Sequence, residues 1–142
     1  MALLDVGISS KVLKLSADHM HPCYEIILNL EGEGITIAGE SRMPFYPGSI
    51  EIIPRNTPHN KQSQEGFRDV YIKTDVLPDA VIKAFEQGIP TFDDDYNQTM
   101  TGLMKMMLCR YLVNNKNDVN RYALVEPCVN ISKISEVAVI IN

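Results

Sequence analysis

Basic residues are in short supply: Lys and Arg number 13 against 18 Asp and Glu, a formal net charge of -5. Gripping nucleic acid needs a cationic surplus over the phosphates, so this chain is not expected to bind DNA or RNA by itself. Cysteine is scarce too. Cys23, Cys109 and Cys128 are odd in number, lie far apart and form no Cys-x-x-Cys pair, which excludes a disulfide framework and a cysteine zinc site and leaves reduced thiols. Long apolar runs are missing, so no membrane span is predicted. The opening stretch from Met1 to Ser10 carries Asp5 and no basic leader, reads as neither signal peptide nor transmembrane helix, and suggests a cytoplasmic protein. There is no internal repeat and no low-complexity segment. What is present, 142 residues with 45% hydrophobic and 22% charged, suits one globular domain or one domain plus an appendage.

From Lys11 to Asp75 short apolar runs alternate with polar residues and are punctuated by Gly and Pro at close intervals, the pattern of a small antiparallel sandwich or barrel. Candidate strands are Lys11 to Leu15, Tyr24 to Leu30, Gly34 to Ala38, Arg42 to Phe45, Ser49 to Ile53, His59 to Gln62 and Arg68 to Lys73. Glu31-Gly32-Glu33-Gly34 and Ala38-Gly39-Glu40-Ser41 place glycine where hairpins need it, and Tyr46-Pro47-Gly48 favours a tight turn. Pro54, Asn56 and Pro58 mark a longer loop.

After Asp75 the pattern becomes helical. Pro78 to Gln87, with Gly88 just beyond, reads as a short capped helix. Asp93, Asp94 and Asp95 then supply a cap and negative charge at the start of a second helix running to about Asn114. Along it Tyr96, Met100, Leu103, Met104, Met107, Leu108 and Tyr111 form one apolar stripe, suited to packing against the sheet or against the same helix of a second chain. A homodimer built at least partly on this stripe is expected. The remainder has a polar linker at Asn115 to Asp118 and an apolar run, Val137 to Ile141, with no evident means of burial short of more chain or a partner. The division expected is therefore 1–76 barrel, 77–116 helical dimerisation segment and 117–142 linker or tail.

Three histidines carry the chemistry. In an extended strand His19 and His21 share one face with alpha carbons about 7 Å apart, and Glu25 has the same parity. His59 can approach from the opposite side. Three imidazoles and one carboxylate suit Fe, Mn, Co, Ni, Cu or Zn, with coordination positions left for water or ligand. Taken as isolated pairs, the same residues are more simply hydrogen-bonded side chains, and only the surrounding pattern raises the metal reading.

The wider order is His19-x-His21, three residues, Glu25, six residues, Gly32, then Gly48, five residues, Pro54, four residues, His59. It resembles the two motifs of the cupin superfamily, which implies a mainly β fold, a cupin-like antiparallel β-barrel (jelly-roll) followed here by C-terminal α-helices, and a divalent metal on His19, His21, Glu25 and His59. Asn56 stands where the family has glycine, Ser63 where it has asparagine, and Leu13 in place of the opening glycine. None of these three is a metal-ligand slot. The wording Tyr24-Glu25-Ile26-Ile27-Leu28, Glu31-Gly32-Glu33-Gly34, Tyr46-Pro47-Gly48-Ser49-Ile50 and Ile53-Pro54-Arg55-Asn56-Thr57-Pro58-His59 is similar, more narrowly, to the N-terminal domain of AraC-type transcriptional regulators. That likeness covers roughly Lys11 to Asn114. It implies a barrel sensing a small effector such as a sugar or metabolite, helices that dimerise, and DNA reached through a C-terminal domain missing from this chain. Ile131 to Ala138 resembles the opening of that domain's first helix-turn-helix.

Ile27, Arg42, Tyr71 and Lys73 are candidate pocket liners, against the alternative that tyrosine and lysine simply stay at the surface. Cys23 shares the ligand parity and reads as a buried inert thiol. Tyr24, Ile26, Leu28 and Leu30 have the opposite parity, so the outer face of that strand needs a cover of helices or a second subunit. The resemblance implies a sensor rather than an enzyme. A metal-dependent cupin enzyme of dioxygenase or isomerase type is the alternative, and for it no proton carrier beside the ligands is identifiable from sequence.

Overall fold

A computed structural model describes residues 3–9, 13–15, 18–77, 79, 94–114 and 136–139. Eight strands and one helix follow in order: β1 (Leu3–Ile8), β2 (Leu13–Leu15), β3 (Tyr24–Glu31), β4 (Gly34–Ala38), β5 (Ser41–Phe45), β6 (Ser49–Ile53), β7 (His59–Thr74), α1 (Asp94–Asn114) and β8 (Glu136–Val139). The sheet order is β5-β4-β7-β3-β6-β8, with β1 and β2 also paired to β7, and it curls into a mainly antiparallel half-barrel.

β7 makes the curl. Its first residues, His59 to Gln62, pair with β4, and its later ones, Arg68 to Thr74, pair with β3, so one strand belongs to both walls. The two runs read separately from the sequence, His59 to Gln62 and Arg68 to Lys73, are thus one strand bent between them. Gly66 lies at the bend with φ +98, and its N–H donates to the Ser63 hydroxyl at 3.2 Å. The same hydroxyl donates to the Glu33 carbonyl at 2.6 Å, so Ser63 ties β7 to the β3–β4 turn. At the β5–β6 turn Gly48 has φ +88 and the Ser49 N–H donates to the Tyr46 carbonyl at 3.0 Å; Pro47 presets the preceding angle and glycine accepts the positive one.

Alternation along β3 divides its residues between two environments. Ile26 and Leu28 join Val6, Ile50, Ile52, Val70 and Ile72 in a core that also contains Met100, Met104, Met107, Leu108 and Tyr111 of α1. The helix stripe is therefore intrachain core. A dimer built on these residues would have to open that core; the side chains of Tyr96 and Leu103 lie outside the described residues. The cover anticipated for the outer face of β3 is this helix. Ile27 faces the barrel interior instead, with Ala38 and Ile53, and Met43 and Tyr71 pack against them.

Two elements were not read from the sequence. β1 pairs with β7 through Val6↔Ile72 and Gly7↔Tyr71, but Leu-Leu-Asp-Val-Gly-Ile lacks the alternation that announces a strand. β8 pairs parallel with β6 through Val137↔Ile50, and Val137 is fully buried. Val137, the first residue of the run expected to lack burial, is thus covered inside its own chain, and residues 136–139 form a strand of the sheet. The Pro78 to Gln87 helix falls outside the described residues. Among the described residues no helix is long and apolar enough to cross a membrane.

Gly7 is required by its neighbour across the ladder. A Cβ there would sit 2.1 Å from Cζ and the hydroxyl oxygen of Tyr71, so the ring lies against the β1 backbone. Gly7→Ala is expected to displace Tyr71 and cost about 1–3 kcal/mol, the usual cost of overpacking, read from urea unfolding. An unchanged midpoint would mean that the ring has free room elsewhere.

Candidate metal centre

The segment before β3 is not a regular strand. Pro22 offers no N–H to a ladder, and extended pairing resumes only at Tyr24. The two histidines converge by another route. His19 and His59 exchange backbone hydrogen bonds at 3.1 and 2.9 Å, an isolated bridge, and the Asn56 N–H donates to the His21 carbonyl at 2.8 Å. Loop 54–58 is thereby fastened to the segment carrying both imidazoles. Asn56 has φ +56, a left-handed angle at the slot where the family pattern has glycine; asparagine is the side chain that best tolerates it. Asn56→Gly is expected to leave the site and its stability unchanged, and Asn56→Val to cost about 1–2 kcal/mol in thermal unfolding.

All four expected ligands are brought together. The donor atoms of His19, His21, Glu25 and His59 lie within 4.8 Å of one another. Donors on opposite sides of one transition-metal ion are about 4.2 Å apart at bond lengths near 2.1 Å, so slight closure suffices. The ring centroid of His19 is 5.1 Å from that of His21 and 4.0 Å from that of His59. Glu25 stands between two imidazoles, with Oε2 3.0 Å from His21 Nε2 and Oε1 3.4 Å from His59 Nε2. Glu25 and His59 are buried, whereas His21 reaches solvent and keeps the cluster open on that side.

The hydrogen bonding of His59 specifies its tautomer. Its Nδ1 lies 2.8 Å from the Thr57 carbonyl, which can only accept, so Nδ1 carries the proton. Nε2 is buried, has no aligned hydrogen-bond partner, and faces the Glu25 carboxylate. In the neutral imidazole a lone pair would confront a carboxylate oxygen across 3.4 Å, an arrangement that calls for a cation, either a proton on Nε2 or a metal ion shared by both groups. The residues present therefore fit a divalent metal.

The electrostatics pull in two directions. Burial works to lower the pKa of His59, but contact with Glu25, the Thr57 carbonyl and the charges of Glu25 and Glu51 outweigh it and hold it above its ordinary value of 6.5. For Glu25 burial works upward, yet the three histidines hold the carboxyl below its ordinary range. His21 is pushed down, chiefly by burial, against Glu25, with Lys73, His19 and His59 adding to the fall. The ionised Glu25 and the lowered His21 favour a cation between them, whereas His59, held up, must release a proton from Nε2 to ligate one.

The expected pocket liners divide. Ile27 and Tyr71 do meet, in the apolar cluster of the barrel interior. Lys73 pairs across the ladder with Glu25, and its ammonium lies 5.6 Å from the Tyr71 ring and 4.0 Å from Asp5. Arg42 is not brought to them: alternation along β5 turns Met43 and Phe45 inward and leaves Arg42 exposed. Cys23 is buried and unpaired by any disulfide.

A second polar group in the interior was missed. Lys61 extends between Asn29, Asp69 and Glu51 and lies under the Phe45 ring at 4.1 Å. Its signal was a glutamate inside the apolar run Ser49-Ile50-Glu51-Ile52-Ile53, where an unpaired charge would be costly.

No protein-family model matches the chain, and no curated protein matches it. Solved structures with a similar fold include a cupin-2 domain protein from Shewanella frigidimarina, 18% identical, TM-score 0.41, covering 47% of this chain and 64% of that one. A DMSP lyase from Ruegeria pomeroyi is 24% identical, TM-score 0.42, with 51% and 37% covered. A predicted oxalate decarboxylase from Thermotoga maritima is 18% identical, TM-score 0.40, with 44% and 56% covered. The chain spans less than two thirds of the length of each.

Proposed function

We propose that this half-barrel is a metal-dependent small-molecule site serving as the effector-sensing domain of an AraC-like transcriptional regulator. The observation that carries the metal is the buried Nε2 of His59, which makes no aligned hydrogen bond and faces Glu25 across 3.4 Å. His19, His21, Glu25 and His59 would hold Zn, Mn, Fe, Ni or Co, which when bound supplies Lewis acidity to an oxygen ligand. Ile27 and Tyr71 exclude water beside it, and Lys73 adds a positive charge that favours oxygen-rich, anionic metabolites. Thr57 keeps the His59 proton on Nδ1 and so keeps Nε2 directed inward.

The sensing part of the reading rests on β3. One strand presents Glu25 to the site and, one residue on, Ile26 to the core containing α1, so a ligand that shifts β3 is felt by the helix. DNA would be reached through a further domain, since this acidic chain is a poor match to phosphates.

A metal-dependent enzyme is the second reading, favoured by the solvent-open side at His21. Calorimetry and product analysis on the metal-loaded chain with sugars, sugar acids and aromatic acids separate the two. Binding without turnover is expected. Turnover that disappears in Glu25→Ala would replace the sensor with an enzyme.

A further inference from the structure

Two thioethers among the described residues stand open to solvent, Met20 at 56% and Met106 at 49% exposed. The other described methionines are covered: Met100, Met104 and Met107 lie in the core with α1, and Met43 packs on the cluster of the barrel interior. Nearly equal in exposure, Met20 and Met106 differ in their neighbours. Met106 belongs to α1, which covers the face of β3 opposite to Glu25. Met20 stands between His19 and His21, two of the four residues of the metal cluster.

That position puts an oxidisable sulfur beside the cluster without making it a ligand. Consecutive alpha carbons are about 3.8 Å apart, so Met20 shares its immediate backbone with both histidines. The backbone there is fastened, since His19 exchanges hydrogen bonds with His59 and the His21 carbonyl accepts from the Asn56 N–H. The side chain is not fastened by packing; it is solvent-facing, unbranched and has three rotatable bonds. His21 also reaches solvent, so the cluster opens where this segment meets water. An oxidant arising at the cluster leaves by that side, and Met20 carries the exposed sulfur next to it. Cys23 lies two places beyond His21 but is buried.

From this placement we infer that Met20 is a modification site served by the cluster, at which a hydroperoxide is reduced and methionine sulfoxide forms. One peroxide oxygen is transferred to Met20 Sδ. The O–O bond breaks, an S–O bond forms, and the second oxygen leaves with the peroxide protons as water, or as an alcohol from an alkyl hydroperoxide. Sulfur gives up two electrons, the peroxide takes two, and the metal is unchanged overall. The product is the reversible form of oxidised methionine, and it sets a polar oxygen at the solvent side of the cluster. The inference rests on the metal reading above.

Peptide mass mapping of the full chain tests it, with Fe(II) as the metal, hydrogen peroxide as the oxidant and Met106 as the internal standard. In the iron-loaded chain Met20 is expected to oxidise about tenfold faster than Met106, because an oxidant arising nearby acts at high effective concentration. In metal-free chain, and in chain loaded with redox-inert Zn, the two rates are expected to agree within about twofold, following exposure alone. His59→Ala is expected to lose the preference together with the iron, and the zinc-loaded wild type makes the same comparison in an unaltered fold. Elemental analysis of each sample separates the two readings. Iron held at one per chain with Met20 oxidised no faster than Met106 overturns the inference and leaves the metal reading standing. A preference for Met20 that persists with Zn or without metal also overturns it. Failure to retain iron, manganese or zinc overturns both.

Discussion

His59→Ala is expected to abolish stoichiometric metal uptake, measured by elemental analysis of protein purified without a metal-affinity tag. With excess Zn, Ni or Mn the wild type should melt higher than its metal-free form. Ligand at about 100 times its dissociation constant adds about 2.7 kcal/mol, worth about 5–10 °C in a chain of this length. The variant should show no such shift. Persistence of the full shift in both His59→Ala and Glu25→Ala would place metal elsewhere.

The direction of the pH response follows from the same residues. His59 is held above 6.5 in the folded chain, so protons compete with metal for Nε2 through and above that value, and affinity should rise with pH there. Without metal the sign reverses. A raised histidine adds stability below 6.5 that is lost as pH climbs through its folded pKa, whereas depressed Glu25 adds stability above 4.5 that is lost as pH falls through its folded pKa. These two groups favour metal-free protein between these limits, in mild acid, with His21, held down chiefly by burial, opposing them below 6.5, while the metal-induced shift in melting temperature grows toward neutral and basic pH. A metal effect that strengthens on acidification would contradict the ligand assignment.

Lys61→Met is expected to produce the largest loss of stability, about 3–5 kcal/mol in urea unfolding, because it leaves buried carboxylates without their cation. Lys61 and Glu51 are 3% and 1% exposed, and the ammonium lies 2.9 Å from Asp69 and 3.7 Å from Glu51. Glu51 is already raised in pKa by burial, against the pull of Lys61. Charging such a group costs stability as pH rises through its folded pKa, and without Lys61 the cost grows. The deficit of the variant should accordingly be smaller at about pH 5 than at about pH 8. A loss below about 1 kcal/mol would mean that the ammonium is replaceable by water.

Much of the barrel was legible because its signals are local. Alternation placed β3, β4 and β6 almost to the residue, and glycine and proline marked their turns, since pleat and turn chemistry act over a few neighbours. The four candidate ligands were legible for a different reason. Two of them are separated by two positions, and the spacing of the rest followed a known family order. Even there the route differed, for His19 and His21 converge through backbone bonds to loop 54–58 and not through a continuous strand.

What tertiary structure alone decided are contacts between residues far apart in the chain. Val137 is buried only because β6 accepts a parallel neighbour, and no pattern within four residues of Val137 encodes that partner. The stripe on α1 was visible, but whether it met its own sheet or a second copy depended on where the chain returned. Arg42 and Tyr71 looked alike as pocket liners until register placed one outward and one inward. Composition and period specify which faces must be covered. Chain connectivity and strand register decide what covers them, because burial is indifferent to sequence distance whereas hydrogen-bonded pairing is not indifferent to geometry.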